Sequence, residues 1–144
     1  LWRIKHESYA QLHNWYEQQR DYYRQMIFEL HKGFKEAEPD FIVSRPEASI
    51  YFVIDVRKVA KPGFDGVEFC FFGCAEHGAV SLDDGKEYTL LMAPLNGFYS
   101  GKNGDNNPGK TQLRVSFCEN PELLRLAPEL LSKLFRAYEA QRTV

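Results

Sequence analysis

Arg114 lies in the run Gln112-Leu113-Arg114-Val115-Ser116-Phe117, and its chemistry depends on which way a strand would turn it. Leu113, Val115 and Phe117 alternate with Gln112, Arg114 and Ser116, the period of two expected of a half-buried strand. That parity buries the three apolar side chains and turns Arg114 to the opposite face. A guanidinium held there on a rigid strand can grip a carboxylate through two parallel N–H···O bonds. Spacing alone favours the plainer reading, a solvated arginine on an open sheet face.

Two other groupings invite chemistry and do not sustain it. Gly104-Asp105-Asn106-Asn107-Pro108-Gly109-Lys110-Thr111 matches the phosphate-loop pattern G-x-x-x-x-G-K-[ST] letter for letter. A phosphate cradle must follow a buried strand and open a helix, whereas Thr111 opens a strand and Pro108 removes one N–H donor. Cys70, Cys74 and His77 share one face at helical spacing, with Cys118 as a further thiol. A structural zinc site wants four ligands and a short cysteine knuckle on a turn, so buried cysteines acting as small hydrophobes explain them more simply. No nucleophile sits in a recognisable elbow, and acids such as Asp83-Asp84 fall in a turn, where solvation is the default. No catalytic residue and no metal ligand is assigned.

The elements that would position Arg114 can be read on both sides of it. Asn120 offers an N-cap side chain, Pro121 suits the first helical position, and Glu122 suits the positive end of a helix dipole. The helix that follows is predicted to reach about Gln141, carrying Leu124, Ala127, Leu131, Leu134, Phe135 and Tyr138, with a kink or break at Pro128. At the other end, Tyr9, Leu12, Tyr16, Tyr23, Met26, Leu30 and Phe34 recur at helical spacing, with Gly33 as the expected stop. This helix, roughly 45–50 Å long at 1.5 Å per residue, exceeds what a small domain needs. Leu1 is not an initiator methionine, and Arg3 and Lys5 sit where a helix start prefers acids, so the helix is expected to continue upstream.

Between these helices, Phe41-Ile42-Val43 reads as a brief edge strand and Ile50 to Val56 as the central strand. Asp65 with Glu68 forms a capping-box pattern that predicts a helix ending at Gly78, its shared face formed by Val67, Cys70, Phe71 and Cys74. Asp83-Asp84-Gly85 is a turn, Tyr88 to Ala93 a strand closed by Pro94, and Asn96-Gly97 a tight turn. The order gives an α+β fold: a small, mostly antiparallel sheet packed with helices and preceded by a long helix. The chain of 144 residues fits one domain, divided into the long helix over 1–35 and the small domain over 36–144.

A formal charge of −2 leaves no electrostatic footprint for nucleic acid or anionic lipid, and no apolar run approaches the ~20 residues of a bilayer span. Three cysteines, an odd and sparse set, point to a reducing compartment such as the cytoplasm rather than to a disulfide framework.

Arg20-Asp21, Leu30 and Pro46-Glu47-Ala48-Ser49-Ile50-Tyr51-Phe52, then Met92-Ala93-Pro94, Gly97-Phe98-Tyr99 and the Arg114 strand, occur in an order and spacing that together carry a resemblance. The chain resembles the C-terminal small domain of fold-type I pyridoxal-phosphate aminotransferases over most of its length. The Ala-Pro-x-x-Gly-Phe-Tyr form is similar to the bacterial type of aspartate aminotransferase. The resemblance implies that Arg114 binds the substrate α-carboxylate and that Asn96, Phe98 and Tyr99 belong to a loop near the same pocket. It implies amino-acid and 2-oxo-acid substrates, a large domain preceding the long helix, a homodimeric parent, and a cytoplasmic or mitochondrial setting. Pyridoxal 5'-phosphate would serve the parent enzyme. The lysine that bonds to it, the aspartate on its ring nitrogen and the phosphate cup have no match here, so this chain alone is expected neither to hold the cofactor nor to turn over. The alternative is a free-standing α+β ligand-binding or interaction domain.

Overall fold

The alternation around Arg114 becomes one strand of a four-stranded antiparallel sheet, seen in a computed structural model that describes residues 9–45, 47, 49–76, 78–99 and 106–142. Strand β1 is Ile42–Val43, β2 is Tyr51–Asp55, β5 is Ala93–Pro94 and β6 is Gln112–Ser116, in the order β1-β2-β6-β5. A separate hairpin joins β3, Val80–Ser81, to β4, Glu87–Tyr88, around Gly85 at φ 75°. Both edges of the main sheet are two-residue strands, one ending in Pro94, which leaves little open ladder for another chain to join.

Register decides which side chains share a face. Phe52 pairs with Val115 and Ile54 with Leu113, and all four are buried. The other parity pairs Tyr51 with Ser116, Val53 with Arg114 and Asp55 with Gln112, while Ala93 flanks Arg114 from β5. Helices cover the first face: α1, Tyr9–Ala37, and α4, Ala127–Gln141, with the short α2, Gly66–Phe71, and α3, Pro121–Leu124. Rings fill the space between, Phe34 meeting Phe52 edge-on at 5.6 Å and Phe41 meeting Phe135 at 5.3 Å.

Several local expectations need correction. Gly33 does not stop the first helix, which runs on to Ala37. It is where α1 and α4 touch: a β-carbon there would stand 2.9 Å from Cγ of Pro128, so the absence of a side chain permits the approach. Glu38, just beyond α1, then accepts hydrogen bonds from Ser132 and Arg136 of α4 at 2.6 and 2.7 Å. Only Met26, Leu30 and Phe34 of the long apolar stripe are buried, while Tyr9 and Tyr16 are exposed. Residues 1–8, including Leu1, Arg3 and Lys5, lie outside the described residues.

The capping aspartate is confirmed, since Asp65 accepts from the Val67 amide at 2.8 Å. The helix, however, buries Gly66, Phe69, Cys70 and Phe72, a face one residue round from the expected one, and then passes into a π-turn over Phe72–Glu76. Val67, Phe71 and Cys74, expected on the buried face, are exposed. The strand expected over Tyr88 to Ala93 is divided, its two ends pairing in different sheets as β4 and β5. The tight turn expected at Asn96-Gly97 is present, as a 3-10 turn over Asn96–Phe98. Pro128 stands in the first turn of α4, because the chain has already broken from α3 at Arg125 and Leu126.

Candidate functional site

Arg114 is held from both directions along its strand. Downstream, Phe117 is buried, Asn120 caps α3 by accepting from the Glu122 amide at 2.9 Å, and Pro121 takes the first helical position. Upstream, Pro108–Thr111 forms a 3-10 turn that feeds the strand. The half-buried guanidinium lies between two rings, its Cζ 5.1 Å from the centroid of Tyr51 and 5.4 Å from that of Phe98. Among the described residues no carboxylate pairs with it. Arg57, Arg136 and Arg142, by contrast, are each spent on an acid, Asp55, Glu38 and Glu139 respectively. Ring faces steady a guanidinium without consuming its N–H donors, so this fork is oriented and available to an anion.

Beside it on the same face, Asp55 is buried with its carboxylate fully engaged. One oxygen accepts from the Arg57 amide at 3.0 Å and the Thr111 hydroxyl at 2.8 Å. The other accepts from Arg57 Nε at 2.7 Å, from the second guanidinium nitrogen, and from Gln112 Nε2 at 3.1 Å. Burial pushes the Asp55 carboxyl upward, but the bonds from Arg57, Gln112 and Thr111 outweigh it and hold the group below the usual carboxylate range. Gln112 in turn accepts from the Tyr99 hydroxyl.

The structure therefore brings Phe98 directly against Arg114 and joins Tyr99 to the same face through Gln112. Asn96 opens the turn that carries Phe98. Its carbonyl accepts from Asn107 Nδ2 at 2.8 Å and its side-chain oxygen accepts from the Gly97 amide at 3.1 Å, so it holds the turn together. Sequence reasoning missed Tyr51, Asp55 and Gln112. Asp55 left a trace as the one acid in an apolar strand, and Tyr51 shares the parity of Val53; pairing either with β6 required the register.

The other two groupings are described only in part. Asn107 accepts from the Gly109 amide, Lys110 N bonds to the Asn107 carbonyl, and the turn runs into β6 instead of a helix. Gly104 and Asp105 lie outside the described residues, as does His77. Among the described residues no cluster of His, Cys, Asp or Glu could hold a metal. Cys70 is buried and Cys74 exposed, and burial pushes the Cys70 thiol up to about 12. Iodoacetamide at pH 8 should therefore alkylate Cys74 and Cys118 within minutes and leave Cys70 intact until denaturant is added, as peptide mass spectrometry would read. Equal labelling of all three would contradict the burial of Cys70.

Neither protein-family models nor curated proteins match the sequence. Among solved structures, the chain is similar to an archaeal alanine:glyoxylate aminotransferase, with a TM-score of 0.60 and 18% identity over 80% of this chain. The likeness spans 24% of that enzyme's own length. What is shared is the fold: a long helix, a small antiparallel sheet and packed helices, an α+β arrangement consistent with the small domain of an aminotransferase. Among the described residues no helix is long and apolar enough to cross a membrane.

Proposed function

We propose that this chain is the small domain of a pyridoxal-phosphate aminotransferase that moves an amino group between an amino acid and a 2-oxo acid, with Arg114 as the α-carboxylate clamp. The observation that carries the reading is the oriented guanidinium between Tyr51 and Phe98, with no acid paired to it among the described residues. The sequence motifs around it tilt the substrate toward dicarboxylic amino acids such as aspartate. Both reactants of such a transfer carry an α-carboxylate, so one clamp serves donor and acceptor alike.

The cofactor, when bound in the parent, supplies an electron sink. The side chains argued for above are the Arg114 guanidinium, the Tyr51 and Phe98 rings, the Tyr99 phenol, the Gln112 amide and the Asp55 carboxylate; none of these is an amine that could bond to its aldehyde, so no step of its chemistry is assigned to them. They bind and orient one carboxylate, and the rings hold the guanidinium that grips it. A large domain of the same enzyme and a second copy would complete the site.

In the longer enzyme this reading implies, Arg114→Ala should lower kcat/KM for the amino acid and the oxo acid by similar factors. Loss of a charged hydrogen-bond partner costs about 1.5–3 kcal/mol, roughly 10- to 150-fold. Arg114→Lys should recover little, because a point charge cannot make the planar double contact. Unchanged kinetics for both substrates would remove Arg114 from the site.

A further inference from the structure

We propose that Gln112 and Tyr99 are positioning residues for the Arg114 carboxylate site, acting as a tether that keeps the Phe98 ring against the guanidinium. The proposal rests on the reading of Arg114 given above and deepens it.

The chain of causes begins at a buried acid. Ionised Asp55 can only accept hydrogen bonds, so Gln112 must present Nε2 to it, as the 3.1 Å contact records. That choice fixes the other end of the amide. Its oxygen is left to accept, and the Tyr99 hydroxyl donates to it. The reverse orientation would set two acceptors against each other at Asp55 and leave an NH2 group at Tyr99. An acid on one strand thus selects the rotamer of an amide on the next, and the amide holds a loop.

The loop carries the wall of the site. Phe98 immediately precedes Tyr99, and its ring stands 5.4 Å from Arg114 Cζ although 61% of the residue is exposed. The turn is pinned at its start by the Leu95 amide on the Gln112 carbonyl at 3.0 Å and by Asn107 on the Asn96 carbonyl at 2.8 Å. The Phe98 amide itself donates to the Leu95 carbonyl at 2.9 Å, which closes the turn, and the Tyr99 hydroxyl holds the segment beyond it. Gln112 and Arg114 share a face two residues apart, so the tether starts about 7 Å along the strand from the residue it serves. Without it the Phe98 backbone keeps its bond to Leu95, but the exposed ring loses the hold on its far side, and Arg114 must be ordered at the moment of binding, at the expense of affinity.

The test uses the 144-residue chain, labelled with 15N, and follows the Nε–Hε resonance of Arg114, assigned by its loss in Arg114→Lys. Ring currents from Tyr51 and Phe98 should displace that resonance before any ligand is added. In Tyr99→Phe, which removes a single oxygen, the resonance should move toward the position of a solvated arginine. Affinity for maleate at constant ionic strength should fall roughly three- to tenfold. Gln112→Leu should do the same, and the double variant should add little to either change. A resonance unmoved by Tyr99→Phe, or effects that add in the double variant, would overturn the proposal. If the resonance moves as expected while maleate leaves Arg114 undisturbed in every form, the tether stands and the carboxylate reading of Arg114 falls.

Discussion

Gly109→Ala is expected to destabilise the chain by about 2–3 kcal/mol and to displace the loop that covers Arg114. A β-carbon at position 109 would stand 2.5 Å from the Leu95 carbonyl oxygen, 2.6 Å from its carbon and 2.7 Å from Cα of Asn96. All three contacts are backbone, so no side chain can swing aside to relieve them. The clash falls where the Pro108–Thr111 turn lies against the Leu95–Asn96 segment, and both sides are tied to β6. Either the turn feeding Arg114 shifts or the turn carrying Phe98 does. Urea unfolding should show the lower midpoint, and the Arg114 Nε–Hε resonance should move. A variant within about 0.5 kcal/mol of the parent would mean that the two turns are not in contact.

The same glycine shows why the candidate site was half legible. In the sequence it belongs to a phosphate-loop pattern, and letters alone cannot say that its missing side chain admits a neighbouring backbone. Gly33 misleads in the same way, resembling a helix stop while serving as a contact point for Pro128. Features set by local physics could be read: the parity that turns Arg114 away from Leu113 and Val115, the Asn120-Pro121-Glu122 helix start, and the Asp65 cap. Features set by pairing between distant segments could not. The register that puts Val53 and Ala93 beside Arg114, and Asp55 beside Gln112, joins residues far apart in the chain. A guanidinium on an exposed parity is a surface charge until its neighbours are known. Here the two rings, one from β2 and one from the Asn96–Phe98 turn, give it an address.

Asp55→Ala is expected to cost about 2–4 kcal/mol, because it strips an acceptor from a backbone amide, a guanidinium, a hydroxyl and a carboxamide together. The figure sits below that for a fully buried ion pair, since Arg57 is half exposed and water can take over part of its solvation. Asp55→Asn separates charge from packing. It preserves volume and one accepting oxygen, but the carboxylate and its pH dependence are gone.

The sign follows from linkage. The folded pKa of Asp55 lies below its unfolded value, so between the two the unfolded chain binds more protons and stability rises with pH. The contribution is fully present above the ordinary aspartate range and is lost as pH falls through the lowered folded value. Asp84 is also held low, by the Tyr88 hydroxyl and the Lys86 amide, so the parent curve alone mixes two acids. Asp84 is common to both proteins and cancels when the Asp55→Asn curve is subtracted. The difference in unfolding free energy should be flat from pH 8 to about 5 and shrink steadily below that, as urea titrations at each pH would measure. A difference that stays constant down to pH 2 would mean that the aspartate acts through shape alone. In that case it is geometry, not charge, that turns Gln112 toward Tyr99.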